Sequence, residues 1–110
     1  MGVWKVSRSS RKGVDVVLVA VRYVPGYQRV WLAKGYERRG AIWSDIRLFD
    51  RQALLNILRA GTRVASGRPH DVPGDFETFA PIKLRGNHGD ANIYASGRPS
   101  WGDELGLPLF

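Results

Sequence analysis

Apolar residues recur in short β-like runs through the first half of the chain, and turn residues interrupt those runs at near-regular intervals. Ser9-Ser10-Arg11-Lys12-Gly13, Pro25-Gly26 and Arg39-Gly40 are the interruptions. Glycine supplies the positive φ that such turns need, and proline restricts the residue before it to extended backbone. The punctuation predicts four strands, over residues 2–8, 14–24, 27–38 and 41–48. Connections this short join antiparallel neighbours, so the four form a meander. In the second strand Val14, Val16, Leu18 and Ala20 fall on one face and Val17, Val19, Val21 and Tyr23 on the other. A strand apolar on both faces is central, covered by a helix on one side and by a partner or ligand on the other. In the third, Arg29, Trp31 and Ala33 alternate with Val30, Leu32 and Lys34. One face is then apolar enough for a core, and the other sets an aromatic between cations.

The period changes from two to 3.6 at Asp50, which predicts a helix over 50–60. Asp50 is a good N-cap, Phe49 can staple onto Leu54, and Gly61 sits where a C-terminal glycine belongs. Ala53, Leu54, Ile57 and Leu58 make the stripe to be buried, with Arg51, Gln52, Asn56 and Arg59 facing water. Beyond it a Pro- and Gly-rich stretch, Ser66 to Asp75, reads as a loop. Strands near 76–84 and 91–95 then form a β-hairpin about Gly86-Asn87-His88-Gly89-Asp90. Ser-Gly-Arg-Pro occurs at 66–69 and at 96–99, as recurring loop chemistry and not as a repeat. The expected class is α+β: one domain over 1–97, with the meander and helix in 1–61, the loop and hairpin in 62–97, and an extended tail at 98–110.

Composition narrows the chemistry. A chain of 110 residues, 44% hydrophobic and 25% charged, is ordinary for one compact domain. It has no cysteine, which removes disulfides, thiol catalysis and thiolate zinc sites. Two histidines make a poor metal site, and neither a metal nor a cofactor is expected. The longest aliphatic run, Val16 to Val21, is far short of a membrane span. Lys5, Arg8, Arg11 and Lys12 interrupt any signal-peptide core, so the expected location is the cytoplasm.

Charge is distributed unevenly. Residues 1–63 hold thirteen of the seventeen Lys and Arg against four acids, a balance of +9, whereas residues 64–110 stand at −2. Trp4, Tyr23, Tyr27, Trp31, Tyr36 and Trp43 lie among those cations. Cations neutralise phosphates and aromatic rings stack on bases, so this half reads as a surface for single-stranded nucleic acid. The competing reading is a protein-interaction or inhibitor module whose basic face meets an acidic protein. The doubly apolar second strand also leaves more surface than one short helix covers, and a homodimer is expected on that ground.

Arg38-Arg39-Gly40 leading into Ile46-Arg47-Leu48-Phe49-Asp50-Arg51-Gln52 resembles the basic-Gly turn, last strand and helix start of the positive-coactivator family. The four strands and helix over 2–61 are similar to the single-stranded-DNA-binding fold which that family shares with Whirly proteins and PUR repeats. The resemblance implies paired protomers that grip extended bases by stacking and backbone charge, DNA rather than RNA. It makes Arg29, Trp31, Lys34, Tyr36, Arg38, Arg39 and Trp43 the candidate contacts.

The end of the chain carries a second pattern. Glu104, Leu105, Leu107, Leu109 and Phe110 resemble the peptide by which bacterial replication and repair proteins dock on the DNA sliding clamp, with Glu104 where glutamine is usual. An extended terminal peptide with alternating apolar anchors can fill a hydrophobic cleft. The alternative is that the three leucines pack on the protein's own sheet. Catalysis is not expected. A metal-independent ribonuclease would have to be assembled from His70, His88, Lys83 and Arg85, yet both histidines sit in Gly/Pro-rich segments with no spacing that ties them together. Asp71, Asp75, Glu77 and Asp90, set beside Gly and Pro, read as turn formers and not as Mg²⁺ ligands.

Overall fold

The structure, a computed structural model, describes residues 14–71, 75–86, 91–97 and 102–110. Among them are seven strands and one helix: β1 Val16–Tyr23, β2 Val30–Arg39, β3 Ile42–Trp43, β4 Arg47–Asp50, α1 Arg51–Arg59, β5 Val64–Pro69, β6 Phe76–Arg85 and β7 Asn92–Ala95. All seven strands belong to one curled sheet in the order β3–β2–β1–β5–β6–β7, with β4 also paired to β2. The α+β class stands. The expected antiparallel meander is corrected, because β1 runs parallel to β5, a strand the sequence pattern hid, and the 41–48 run is divided. The predicted strand at 2–8, and His88, Asp90, Trp4 and Trp101 with it, lie outside the described residues.

Each departure has a local cause. Within the 41–48 run, Ser44 donates its N–H to the Glu37 carbonyl at 2.8 Å, and its Oγ accepts from the Glu37 N–H at 2.9 Å. A side chain thus replaces a backbone rung. The pairing steps from Arg38 opposite Trp43 to Gly35 opposite Arg47, which inserts one residue and forms a bulge. Residues 66–69 of β5 fall in the expected loop because Ser66, Gly67 and Pro69 are poor strand formers. Gly67 is required where it stands, since a β-carbon there would lie 2.5 Å from the Glu77 carbonyl oxygen and 2.9 Å from Val17 Cγ1. Ser66 Oγ, which accepts from the Ala80 N–H at 3.2 Å, bridges the register shift beside it.

Two further bulges reassign faces. The β1–β2 register shifts between Leu18 and Ala20 and again between Arg22 and Tyr23. Val16, Leu18, Val21 and Tyr23 therefore all lie on the main core, whereas Val14, Val17 and Val19 belong to a second cluster on the opposite face. The strand is apolar on both faces as expected, but strict alternation misassigns Val14, Ala20, Val21 and Tyr23. On β2 the second shift leaves Trp31 without a cross-strand partner on β1 and places both Val30 and Ala33 in the core.

Helix α1 matches the expected bounds. The Asp50 carboxylate accepts from the Ala53 N–H at 2.8 Å, and Gly61 takes a positive φ of 88° just past the last turn. Leu54 and Leu55 are its buried residues, with Ala53, Ile57 and Leu58 packed beside them. Arg51, expected to face water, is instead drawn to the C-terminal segment.

Residues 102–110 run along the sheet. Glu104 bridges Tyr94 of β7, and Leu109 bridges Val21 of β1, both in parallel sense. Val21 N–H donates to the Pro108 carbonyl at 2.9 Å, and Phe110 N–H to the Val21 carbonyl at 3.2 Å. The segment therefore ties β7 to β1. Leu105 and Leu107 enter the main core with Leu18, Leu54 and Ile93. No helix of the described residues is long and apolar enough to cross a membrane.

Candidate nucleic-acid interface

Cross-strand neighbours point to the same side of a sheet, so the register decides which expected contacts share a face. Tyr36 lies opposite Val17, Lys34 opposite Ala20 and Arg38 opposite Trp43. All of these are on the face away from the main core. Their neighbourhoods differ along the strand.

At the end nearest the β1–β2 turn, Trp31 is 48% exposed. The Arg22 guanidinium stands 5.5 Å from the Trp31 ring centroid and 4.7 Å from that of Phe110, and Lys34 Nζ lies 4.6 Å from the Phe110 ring. All three distances are within cation–π range. Arg22 Nε also donates to the Phe110 carbonyl at 2.9 Å. The result is a cluster of two aromatic rings and two cations built from β1, β2 and the C-terminal segment. Arg29 and the exposed Tyr27 belong to the adjoining turn, which is closed by the Val24 N–H donating to the Arg29 carbonyl at 2.9 Å.

At the other end, Tyr36 and Trp43 are only part-exposed, because their rings pack at 5.0 and 4.9 Å on Phe76. Together with Val17 they make the second apolar cluster. These two rings consolidate the sheet. Arg38 Nε donates to the Gly40 carbonyl at 2.9 Å, and Arg39 pairs with Glu37 at 3.4 Å, a carboxylate shared with Arg47 at 2.6 Å.

The structure thus brings Trp31 and Lys34 together, sets Arg29 in the adjoining turn, and assigns Tyr36 and Trp43 to packing. Arg22 and Phe110 were missed as members of the cluster. Arg22 falls in a strand read for its aliphatic residues, and Phe110 was assigned to the docking peptide. The signal that could have added Arg22 was the run Arg22, Tyr23, Tyr27, Arg29 and Trp31 that follows the aliphatic residues of the second strand, but pairing with the distant Phe110 is not encoded in local spacing.

The expected free tail is corrected. Leu105 is fully buried and Leu107 nearly so, whereas Leu109 is 72% exposed. Leu105 N–H donates to the Tyr23 hydroxyl at 3.1 Å. Gln28 Nε2 reaches Glu104 Oε1 at 3.4 Å. A clamp-like cleft would have to extract two leucines from the core to take this peptide.

The described members of the ribonuclease set are dispersed. His70 follows the end of β5, donating its N–H to the Asp75 carbonyl at 2.8 Å. Lys83 and Arg85 lie toward the opposite end of β6, and the Arg85 guanidinium rests 4.7 Å from the Tyr94 ring. No group of three or more His, Asp or Glu that could hold a metal ion occurs among the described residues. Comparison of the chain with known protein families, with curated proteins and with solved structures yields no match.

Proposed function

We propose that the protein binds single-stranded nucleic acid, DNA by the resemblance of its first half, on the sheet face opposite α1 and without catalysing a reaction. The observation that supports this reading is the Trp31–Arg22–Phe110–Lys34 cluster. An unpaired base stacks on the open surface of Trp31, while Arg22, Lys34 and the turn residue Arg29 meet the phosphates beside it. Stacking of one base on an aromatic ring contributes about 1–3 kcal/mol without sequence preference. A duplex hides its base faces and offers only phosphates.

The test is a titration of mixed-sequence single strands at two salt concentrations with a duplex of the same sequence as competitor. Single strands are expected to bind more tightly, with a log–log salt slope of about −0.7 for each phosphate contact. Equal affinity for duplex, or no retention at low salt, refutes the reading.

A further inference from the structure

A second exposed aromatic ring, Phe79, lies across the same sheet. Between β5 and β6 runs an open groove of about 430 Å³ lined by Val14, Ala65, Phe79 and Pro81, with Arg63 and Lys83 also on its wall. Val17 of β1 is opposite Ala65 of β5, which is opposite Pro81 of β6, and on its other side Val17 is opposite Tyr36 of β2. That row crosses four strands, so the groove opens on the face that carries Lys34 and Trp31.

Phe79 is unusual for a ring on a strand. The β5–β6 register jumps from Ser66 opposite Ala80 to Gly67 opposite Thr78, which leaves Phe79 as the bulged residue with no partner of its own. A bulge re-aims a side chain out of the regular pleat, and Phe79 stays 54% exposed although it borders an apolar groove. A core role would have buried it.

Groove and cluster share two elements, an exposed ring and a lysine on the same surface. We propose that the groove is a second base-binding site, in which an unpaired base stacks on Phe79 while Lys83 meets its phosphate. This rests on the reading of the Trp31 cluster as the first site. The two lie three strand spacings apart across the sheet, and Phe79 is level with Leu18 where Trp31 is level with Arg22. At about 4.8 Å per strand and 3.3 Å per residue the separation is roughly 20 Å. One continuous strand of on the order of four or more nucleotides can occupy both, within the footprint usual for single-strand-binding surfaces.

The experiment compares oligothymidylates of about two and about eight nucleotides on the wild-type chain and on Phe79→Ala and Lys83→Glu. Melting temperatures are recorded for each protein. The longer strand is expected to bind the wild type at least tenfold more tightly than the shorter, and each substitution should remove most of that gain while leaving short-strand affinity unchanged. If the gain with length survives both substitutions, the second site is wrong and the Trp31 reading stands. Equal loss at both lengths also overturns it, since the groove would then act through the fold or the first site. If neither length binds the wild type, the function itself fails and this inference with it.

Discussion

Arg51 on the helix and Asp103 in the C-terminal segment form a bidentate ion pair, Nε to Oδ2 at 2.7 Å and Nη2 to Oδ1 at 3.1 Å, around a carboxylate with no exposed surface. The same carboxylate accepts from the Val30 N–H at 2.8 Å and the Ile93 N–H at 2.9 Å. One side chain thus joins α1, β2, β7 and the C-terminal segment. Gly102 sits against Gln28 so closely that a β-carbon would meet the Gln28 carbonyl oxygen at 2.7 Å, which lets the chain enter this junction.

Replacing Asp103 by Ala should cost about 3–5 kcal/mol, because it strands a largely buried guanidinium and two buried strand N–H groups. Urea unfolding of the single variants and of Asp103→Ala with Arg51→Ala would show coupling between the two sites. Strictly additive losses would mean that the pair acts as two unrelated contacts.

The legible parts of this fold were those set by neighbouring residues. The helix, its Asp50 cap, the terminal glycine and the antiparallel β6–β7 pairing follow from local spacing. What stayed hidden depends on residues far apart in the chain. The strand β5 was concealed because its small residues answer to Val17 and Glu77 across the sheet. Arg51 looked solvated because its partner lies 52 positions away. The candidate cluster was half legible: Trp31 and Lys34 follow from cation–aromatic patterning, but the bulges that bring them to Arg22 and Phe110 do not.

For the helix, Asp50→Ala should lower stability by on the order of 1 kcal/mol through loss of the cap. Leu54→Ala should cost about 2–5 kcal/mol, since its side chain is fully buried between the helix and the sheet. Strand binding by the folded fraction should be unchanged in both. A melting temperature for Leu54→Ala equal to that of the wild type would contradict the packing described.

Deleting residues 104–110 should unfold or severely destabilise the chain, where a free tail would be lost without effect. Leu105→Ala alone should cost about 2–5 kcal/mol for the same reason as Leu54. The deletion also removes the two bridges that tie β7 to β1. Chemical denaturation with the midpoint unmoved by Leu105→Ala would return this segment to the role of a docking peptide.

The two tryptophans in the described part of the sheet should separate binding from folding. Trp31 is half-exposed beside Arg22, whereas Trp43 stands edge-on to Phe76 at 4.9 Å within an apolar cluster. Trp31→Ala should therefore weaken single-strand binding by about 1–3 kcal/mol, a five- to 150-fold loss, and barely move the melting temperature. Trp43→Ala should do the reverse, because it deletes an aromatic pair worth about 0.5–1.5 kcal/mol beyond the apolar area it buries. Lys34→Ala supplies the matching charge test, with the log–log salt slope falling in magnitude by about 0.7 if one phosphate contact is lost. Measured at equal folded fraction, a loss of affinity confined to Trp43→Ala would move the binding surface to the Phe76 end of the sheet and overturn the assignment of the Trp31 cluster.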